Sequence, residues 1–365
     1  MFLDPMCGSG TAPLFARALG YETIGIDSNP LAVLITETKL QAGTRPVSFD
    51  LIMNEVGRLR SVLQRKRRPS AKGRVSSRLQ YWFWPSVVDE LLTIRKAINE
   101  SELELREKSI ALLALSKSVR QVSKADKKVV PPTISKMRRA AFQGRPLSAW
   151  KAFRLNVRWI SEVLSRPALS ELPDRSTSVC RGDAMNLPVL SGTIDLCLFS
   201  PPYGTAHDYM RSTRLERLIL WPDAPEAAPT EAAITVGRRR TALERFEEPD
   251  PMGLRECDAF IAALAERSQK LSKFLRLYLL QMKIVFSEVF RALKSDGAMV
   301  IVIGEGSSQG LKVPLGRLMI ELAEAQRFEL NGRPILNRIV TRGFMTKRNT
   351  TAGLIDREWI LRFRK

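Results

Sequence analysis

The first thirty residues constrain the fold most. Residues 2–4 (FLD) read as the tail of a strand entering the turn Pro5-Met6-Cys7-Gly8-Ser9-Gly10, and residues 12–19 (APLFARAL) fit a helix closed by Gly20. Residues 21–27 (YETIGID) read as a second strand that ends on an acid. Asn29-Pro30 then opens another helix with proline at its first position, where a missing N–H costs nothing. Strand, glycine turn, helix, strand and terminal acid is the order of a doubly wound nucleotide-binding half.

The pattern then breaks. Residues 50–68 form a helical stretch ending in Arg65-Lys66-Arg67-Arg68, followed by a basic loop to Arg78. The cluster Tyr81-Trp82-Phe83-Trp84-Pro85 leads into an amphipathic helix that Ser86 could cap. Helical runs are expected over about 102–122 and 147–165, with a basic, proline-containing loop between them. The α/β pattern resumes at 178–184 and continues through the apolar run 194–199 and a helix at about 209–221. Residues 222–258 read as a long loop. A helix over about 259–293, a strand over 298–304, a helix at 314–327 and a closing antiparallel pair (338–340 with 358–363) complete the chain. The expectation is an α/β protein in two parts. Residues 1–45 and 176–365 form a Rossmann-like sheet domain, and 46–175 form a mostly helical basic insertion.

The apolar run 194–199 stops at Ser200-Pro201-Pro202-Tyr203. Two prolines remove backbone donors and restrict φ, so the carbonyls there face outward as acceptors. At the other motif, glycines at 8 and 10 let backbone approach a ligand at a strand–helix junction. Asp27 is placed to take two ribose hydroxyls, with capping of the next helix as its alternative role. Gly182-Asp183-Ala184 is ordinary turn chemistry by itself; its position before Ser200 is what singles it out.

Together, Asp4-Pro5-Met6-Cys7-Gly8-Ser9-Gly10-Thr11 and Ser200-Pro201-Pro202-Tyr203 resemble the cofactor and catalytic motifs of S-adenosylmethionine-dependent DNA amino-methyltransferases. The serine form is the one usual in the cytosine-N4 type. The resemblance covers 1–40 and 178–365 and implies a class I methyltransferase sheet using S-adenosyl-L-methionine. It implies that Asp4 faces the cofactor's amino group, that the 5–10 loop and Thr11 serve its carboxylate, and that Asp183-Ala184 meets the adenine. It also implies that the Ser200 hydroxyl and Pro201 carbonyl accept the two N–H bonds of a base amine. The nitrogen lone pair is thereby steered toward the methyl donor, by positioning and electrostatics. Tyr203 offers a face on which a flipped base can stack. Met6 stands where the family usually has Phe, and Ser295-Asp296 replaces a Pro-Gly turn before the 298–304 strand. Family members whose cofactor motif comes first have a preceding helix that closes over the methionine end; only three residues precede Asp4 here, so cofactor affinity is expected to be weakened.

The net charge of +20 points to a polyanion partner. A generally basic composition is the plainer reading, but residues 41–175 hold 28 Lys/Arg against 12 Asp/Glu, a net of +16. That clustering favours a nucleic-acid face, duplex DNA ahead of RNA, with phosphate contacts expected from Arg65, Lys66, Arg67, Arg68, Lys127, Lys128, Arg138, Arg139, Arg238, Arg239 and Arg240. Tyr81-Trp82-Phe83-Trp84 could stack on bases, but anchoring the inserted helix to its core is the favoured reading. The single histidine, His207, reads better as a hydrogen-bonded loop residue than as a general base. Four cysteines without C-x-x-C spacing give neither a zinc site nor a disulfide framework, and Cys7 and Cys197 read as small apolar residues. With no apolar run of membrane-spanning length and no signal peptide, a cytoplasmic protein is expected. Adenine N6 is the neighbouring specificity, an RNA or tRNA amino-methyltransferase the runner-up enzyme, and a nucleic-acid-binding relic the alternative from another class.

Overall fold

Phe2–Asp4 (β1) is three residues long yet lies inside the sheet, because both flanks are paired. The computed structural model describes residues 1–43, 47–66, 77–127, 129, 131–142, 146–203, 209–222, 236, 251–305, 307–308, 311–339 and 357–365. After β1 come α1 (Thr11–Ala18), β2 (Thr23–Asp27) and α2 (Pro30–Leu40). Seven helices follow among the described residues: α3 (Phe49–Lys66), α4 (Ser77–Trp82), α5 (Pro85–Asn99), α6 (Leu105–Val122), α7 (Lys136–Ala141), α8 (Ala149–Leu164) and α9 (Pro167–Ser170). Strands β3 (Thr177–Arg181) and β4 (Ile194–Phe199) precede α10 (Tyr209–Ser212) and α11 (Arg214–Leu220). The remainder is α12 (Arg255–Arg267), α13 (Gln269–Ala292), β5 (Leu293–Gly304), the short pair β6 (Ser307–Ser308) and β7 (Leu311–Lys312), α14 (Leu315–Glu324), β8 (Glu329–Leu330), β9 (Ile335–Arg338) and β10 (Arg357–Arg364).

The chain divides into two compact units. The first comprises Met1–Thr36, Arg175–Asp208 and Glu226–Lys365; the second comprises Glu37–Asp174 and Tyr209–Pro225.

The first unit is a Rossmann-like α/β sheet. Its order is β3-β2-β1-β4-β5-β10-β8, with β9 also paired to β10. Strands β3, β2, β1, β4 and β5 run parallel, while β10 is antiparallel to β5. The order reverses at β1, which has β2 on one side and β4 on the other. Leu3, Ile26, Cys197, Phe199, Met299, Ile301, Leu361 and Phe363 are buried in one continuous core. Tyr278, Met282, Val285, Phe286 and Val289 of α13 join it at helical spacing, each fully buried. A buried side chain of this size is worth about 1.5–3 kcal/mol over its exposed state. The helix expected over 259–293 is two helices. Ser268, with extended backbone at φ −161°, separates α12 from α13 and caps the latter by accepting from the Leu271 N–H at 3.4 Å. The register shift between β4 and β5 falls between Ile194 and Leu196, so regular pairing of β5 starts at Ala298, beyond Lys294-Ser295-Asp296-Gly297.

The second unit is helical. Its core takes Ile52 and Val56 from α3, Leu91, Ile94 and Ile98 from α5, Ile110, Ala114 and Leu115 from α6, and Phe153, Val157 and Ile160 from α8. Trp82 and Phe83 are buried in that core, whereas Tyr81 is 60% exposed. This is the anchoring arrangement. Ser86 does not cap α5: Pro85 is the first helical residue, and Trp84 precedes it without a side-chain cap. Between α6 and α8, Asn156 Nδ2 donates to Ser118 Oγ at 2.8 Å and to Gln121 Oε1 at 3.0 Å. Residues 209–225 group with this unit, whereas the sequence pattern places them with the sheet. The cause is tertiary: Leu215 and Ile219 are buried in the helical core, and Arg120 donates to the Ser212 carbonyl at 3.1 Å and pairs with Glu216 at 3.7 Å. No helix among the described residues is long and apolar enough to cross a membrane.

Candidate active site at the sheet edge

Four sequence-derived clusters belong to the first unit and leave the sheet along one edge. Leu3 pairs with Cys197, so the turn after Asp4 and the turn after Phe199 emerge from neighbouring strands in the same direction. Asp4 pairs with Gly25, which sets Asp27 two residues further along β2. Asp27 pairs with Arg181, which brings Gly182-Asp183 alongside. This edge, at the point where strand order reverses, is where open parallel sheets take ligands.

The first turn is held by backbone bonds and by two acids. Cys7 N–H donates to the Ile26 carbonyl at 2.9 Å and Gly10 N–H to the Cys7 carbonyl at 2.7 Å. Gly8 and Gly10 have φ of +51° and +74°, conformations that side chains disfavour. A Cβ on Gly10 would lie 2.7 Å from Thr36 Oγ1 and 2.9 Å from Thr36 Cα, so this glycine also permits a close approach to α2. Thr36 returns a hydrogen bond to the Gly8 carbonyl at 3.3 Å. Thr11 is exposed at the first position of α1, its hydroxyl 3.3 Å from that of Ser9.

Asp27 is structural as well as accessible. Its Oδ2 accepts from the Gly8 N–H at 2.9 Å and its Oδ1 from the Asn29 N–H at 2.8 Å. Each carboxylate oxygen has a second lone pair, so these bonds leave capacity for two hydroxyl donors. Burial raises its pKa, and the two backbone N–H groups oppose the shift. Capping of α2 falls to Asn29, whose Oδ1 accepts from the Leu31 N–H at 3.1 Å.

Asp4 is 4% exposed and accepts from the Met6 N–H at 3.1 Å. Burial pushes its pKa up to about 8; the Met6 bond counters this and the charge of Asp27 adds to it. A buried acid of this kind favours a cationic partner, which would restore its ionised form. Asp183 accepts from the Met185 N–H at 2.9 Å, and partial burial raises its pKa. Ala184 is buried beside it. Cys7 and Cys197 are buried, and burial raises both thiol pKa values, so neither thiolate is available as a nucleophile near neutrality.

At the second turn Ser200 is exposed, Pro201 is buried, and Pro202 and Tyr203 are half-buried. The Tyr203 hydroxyl donates to Glu358 Oε1 at 3.0 Å. Glu358 lies on β10 opposite Gly304 of β5. By sequence, 358–363 is a plain closing strand; nothing local marks Glu358, because its partner lies 155 residues away. Nothing local marks Thr36 as a support of the glycine turn either, whereas the cap that Asn29 provides to α2 follows a readable signal, Asn before a helix-opening Pro.

Of the proposed phosphate contacts, Arg65, Lys66, Lys127 and Arg139 are exposed in the helical unit. Arg138 is tied inward: Nη2 donates to the carbonyls of Gln121 at 2.7 Å and Ser123 at 3.1 Å, and the guanidinium lies 5.5 Å from the Phe142 ring centroid. Arg67, Arg68, Lys128, Arg238, Arg239, Arg240 and His207 lie outside the described residues. Among the described residues no group of three or more His, Cys, Asp or Glu could hold a metal ion.

No family model matches the chain, and the comparison with curated proteins finds no match. Among solved structures, the chain is similar to a "Putative DNA Modification Methylase" from Thermus thermophilus complexed with S-adenosyl-L-methionine. The two are 20% identical, over 50% of this chain and 53% of that one, at TM-score 0.26. It is also similar to a SAM-dependent methyltransferase from Methanosarcina mazei (10% identity, 100% and 91% of the two chains, TM-score 0.35). A third similar structure is an rRNA methyltransferase from Streptomyces viridochromogenes (9% identity, 100% and 75%, TM-score 0.28). The matched region spans about half the length of the Thermus protein. The fold assignment rests on the strand pairing itself.

Proposed function

We propose that the chain is a methyltransferase that uses S-adenosyl-L-methionine to methylate an exocyclic amine of a DNA base, cytosine N4 before adenine N6. The observation that carries this reading is the convergence of the 4–11 turn, Asp27, Asp183 and Ser200 on one edge at the strand-order reversal.

The residues present fit the cofactor. The unoccupied lone pairs of Asp27 suit a ribose diol, and the buried Asp4 suits an ammonium group. The glycine turn at 8–10 suits a carboxylate, and Asp183 suits an adenine amine. The group would supply a methyl carried on a positively charged sulfur. The chain would supply positioning. An aromatic amine is a poor nucleophile because its lone pair is delocalised into the ring. With the Ser200 hydroxyl and the Pro201 carbonyl accepting its two N–H bonds, the nitrogen moves toward tetrahedral geometry and its lone pair is aimed. Tyr203, anchored through its hydroxyl, has a ring held for stacking on an extruded base. The basic helical unit supplies the attraction for the DNA backbone, through Arg65, Lys66, Lys127 and Arg139 together with the basic residues outside the described set.

Incubation with methyl-labelled cofactor and duplex DNA or RNA, followed by nucleoside identification, tests the proposal. Label in N4-methylcytosine is the expected result. N6-methyladenine would move the specificity, label in RNA alone would overturn the DNA reading, and no binding of cofactor would overturn the enzyme reading. Ser200→Ala should abolish most turnover while leaving DNA affinity within a few-fold.

A further inference from the structure

The outward stripe of α8 carries Lys151, Arg154, Leu155, Arg158 and Trp159, all exposed, at spacings that place them on one face of the helix. The opposite face buries Phe153, Asn156, Val157, Ile160 and Leu164. Some cations of this unit are neutralised: Arg58 pairs with Glu55 at 3.0 Å and Arg60 with Glu90 at 3.8 Å. On α8 they are not. Among the described residues no carboxylate forms an ion pair with Lys151, Arg154 or Arg158, nor with Lys117 of the adjoining α6.

Aromatic rings take the place of acids. Lys117 Nζ stands 3.7 Å from the Trp159 ring centroid, and the Arg158 guanidinium carbon 5.0 Å from that of Phe49. A ring holds a cation with about 0.5–1 kcal/mol at an exposed site but leaves its charge uncancelled. Leu155 and Trp159 remain 54% and 49% exposed between the charges. The face therefore offers uncancelled positive charge interleaved with apolar surface, which suits a sugar-phosphate backbone. Lys151 to Arg158 spans about 10 Å of helix axis. One strand of a duplex presents about three phosphates over that length.

We propose that this face of α8, with Lys117 of α6, docks the backbone of duplex DNA. The inference rests on the nucleic-acid reading above and names a surface that reading did not include. It is independent of sequence recognition: contacts of this kind set affinity and register.

The test uses the full chain and its Lys151→Ala/Arg154→Ala/Arg158→Ala variant, titrated with a fluorescent duplex between 50 and 200 mM salt (about the range over which phosphate contacts are resolved). Each lost phosphate contact lowers the slope of log K against log salt by about 0.9, so the variant should lose roughly 2.7 from the slope and bind about 10²-fold or more weakly at 0.1 M salt. Arg58→Ala, which removes an already neutralised cation, should leave the slope unchanged. Thermal melts of the variants control for folding, and the exposed positions predict wild-type melting. An unchanged slope in the triple variant, with wild-type DNA binding intact, overturns the surface alone. Absence of DNA binding by the wild type overturns the DNA reading together with it. Binding to anionic phospholipid vesicles and not to the duplex would reassign the face to a membrane surface.

Discussion

Gly10→Ala is the sharpest perturbation of the glycine turn after β1, because Gly8→Ala in the same turn provides its control. Both positions have positive φ, so each alanine carries about 1–2 kcal/mol of left-handed strain. Both also gain roughly 0.4–1 kcal/mol from a less flexible unfolded chain. They differ in surroundings. A Cβ at position 8 meets nothing nearer than the Met6 carbonyl at 3.8 Å, whereas at position 10 it meets Thr36 Cα and Cγ2 at 2.9 Å and Oγ1 at 2.7 Å. Backbone at that distance must shift, and such overpacking costs about 1–3 kcal/mol more. Urea denaturation should therefore show Gly8→Ala destabilised by about 1 kcal/mol and Gly10→Ala by about 2–4 kcal/mol. Adding Thr36→Ala removes the clashes with the threonine side chain and leaves the one with its backbone. The double mutant should therefore recover part of the loss in a mutant cycle, by about 1 kcal/mol. Equal destabilisation by the two alanines, with an additive cycle, would falsify the close approach of the turn to α2.

Other outcomes follow from the same geometry. Asp4 holds its proton more tightly folded (pKa about 8) than at its ordinary 3.8, so its stabilisation is complete below pH 3.8 and is lost as pH rises through about 8. Asp4→Asn should flatten the stability-against-pH slope in that window, by at most about 1.4 kcal/mol per pH unit; identical slopes for variant and wild type would mean that Asp4 is ionised in the fold. Glu358→Ala should remove the Tyr203–Glu358 hydrogen bond and lower the proposed methyl transfer by up to about tenfold, the upper worth of a typical hydrogen bond, while Glu358→Gln restores most of it. Loss in both variants alike would assign Glu358 a role in charge and not in positioning Tyr203. Asn156→Ala strands the partners of a buried bridge between α6 and α8 and should cost about 1–3 kcal/mol, read by urea denaturation; a neutral substitution would show the bridge to be dispensable.

The parts of the molecule legible in the sequence are those whose cause is local. A glycine turn between a strand and a helix, a proline at the first position of α2, and apolar spacing along α5, α6 and α8 each need only a few neighbouring residues, and the corresponding elements lie close to their expected bounds. Boundaries moved where a single side chain intervened, as Ser268 does between α12 and α13. The assignment of 209–225 to the helical unit could not be read locally, because Leu215 and Ile219 are apolar whichever core receives them.

Residue order alone therefore established the α/β alternation, the two turns rich in Gly or Pro, and the concentration of basic charge. Tertiary structure decided which of these meet. Pairing of Leu3 with Cys197 sets the two turns side by side, and pairing of β10 with β5 brings Glu358 to Tyr203 across 155 residues. It also separated cations that are neutralised, such as Arg58, from those of α8 that keep their charge. The physical reason is common to all three. Backbone conformation follows from steric and hydrogen-bonding preferences of adjacent residues, whereas a carboxylate's partner and a cation's net field depend on groups that only folding brings within a few ångströms.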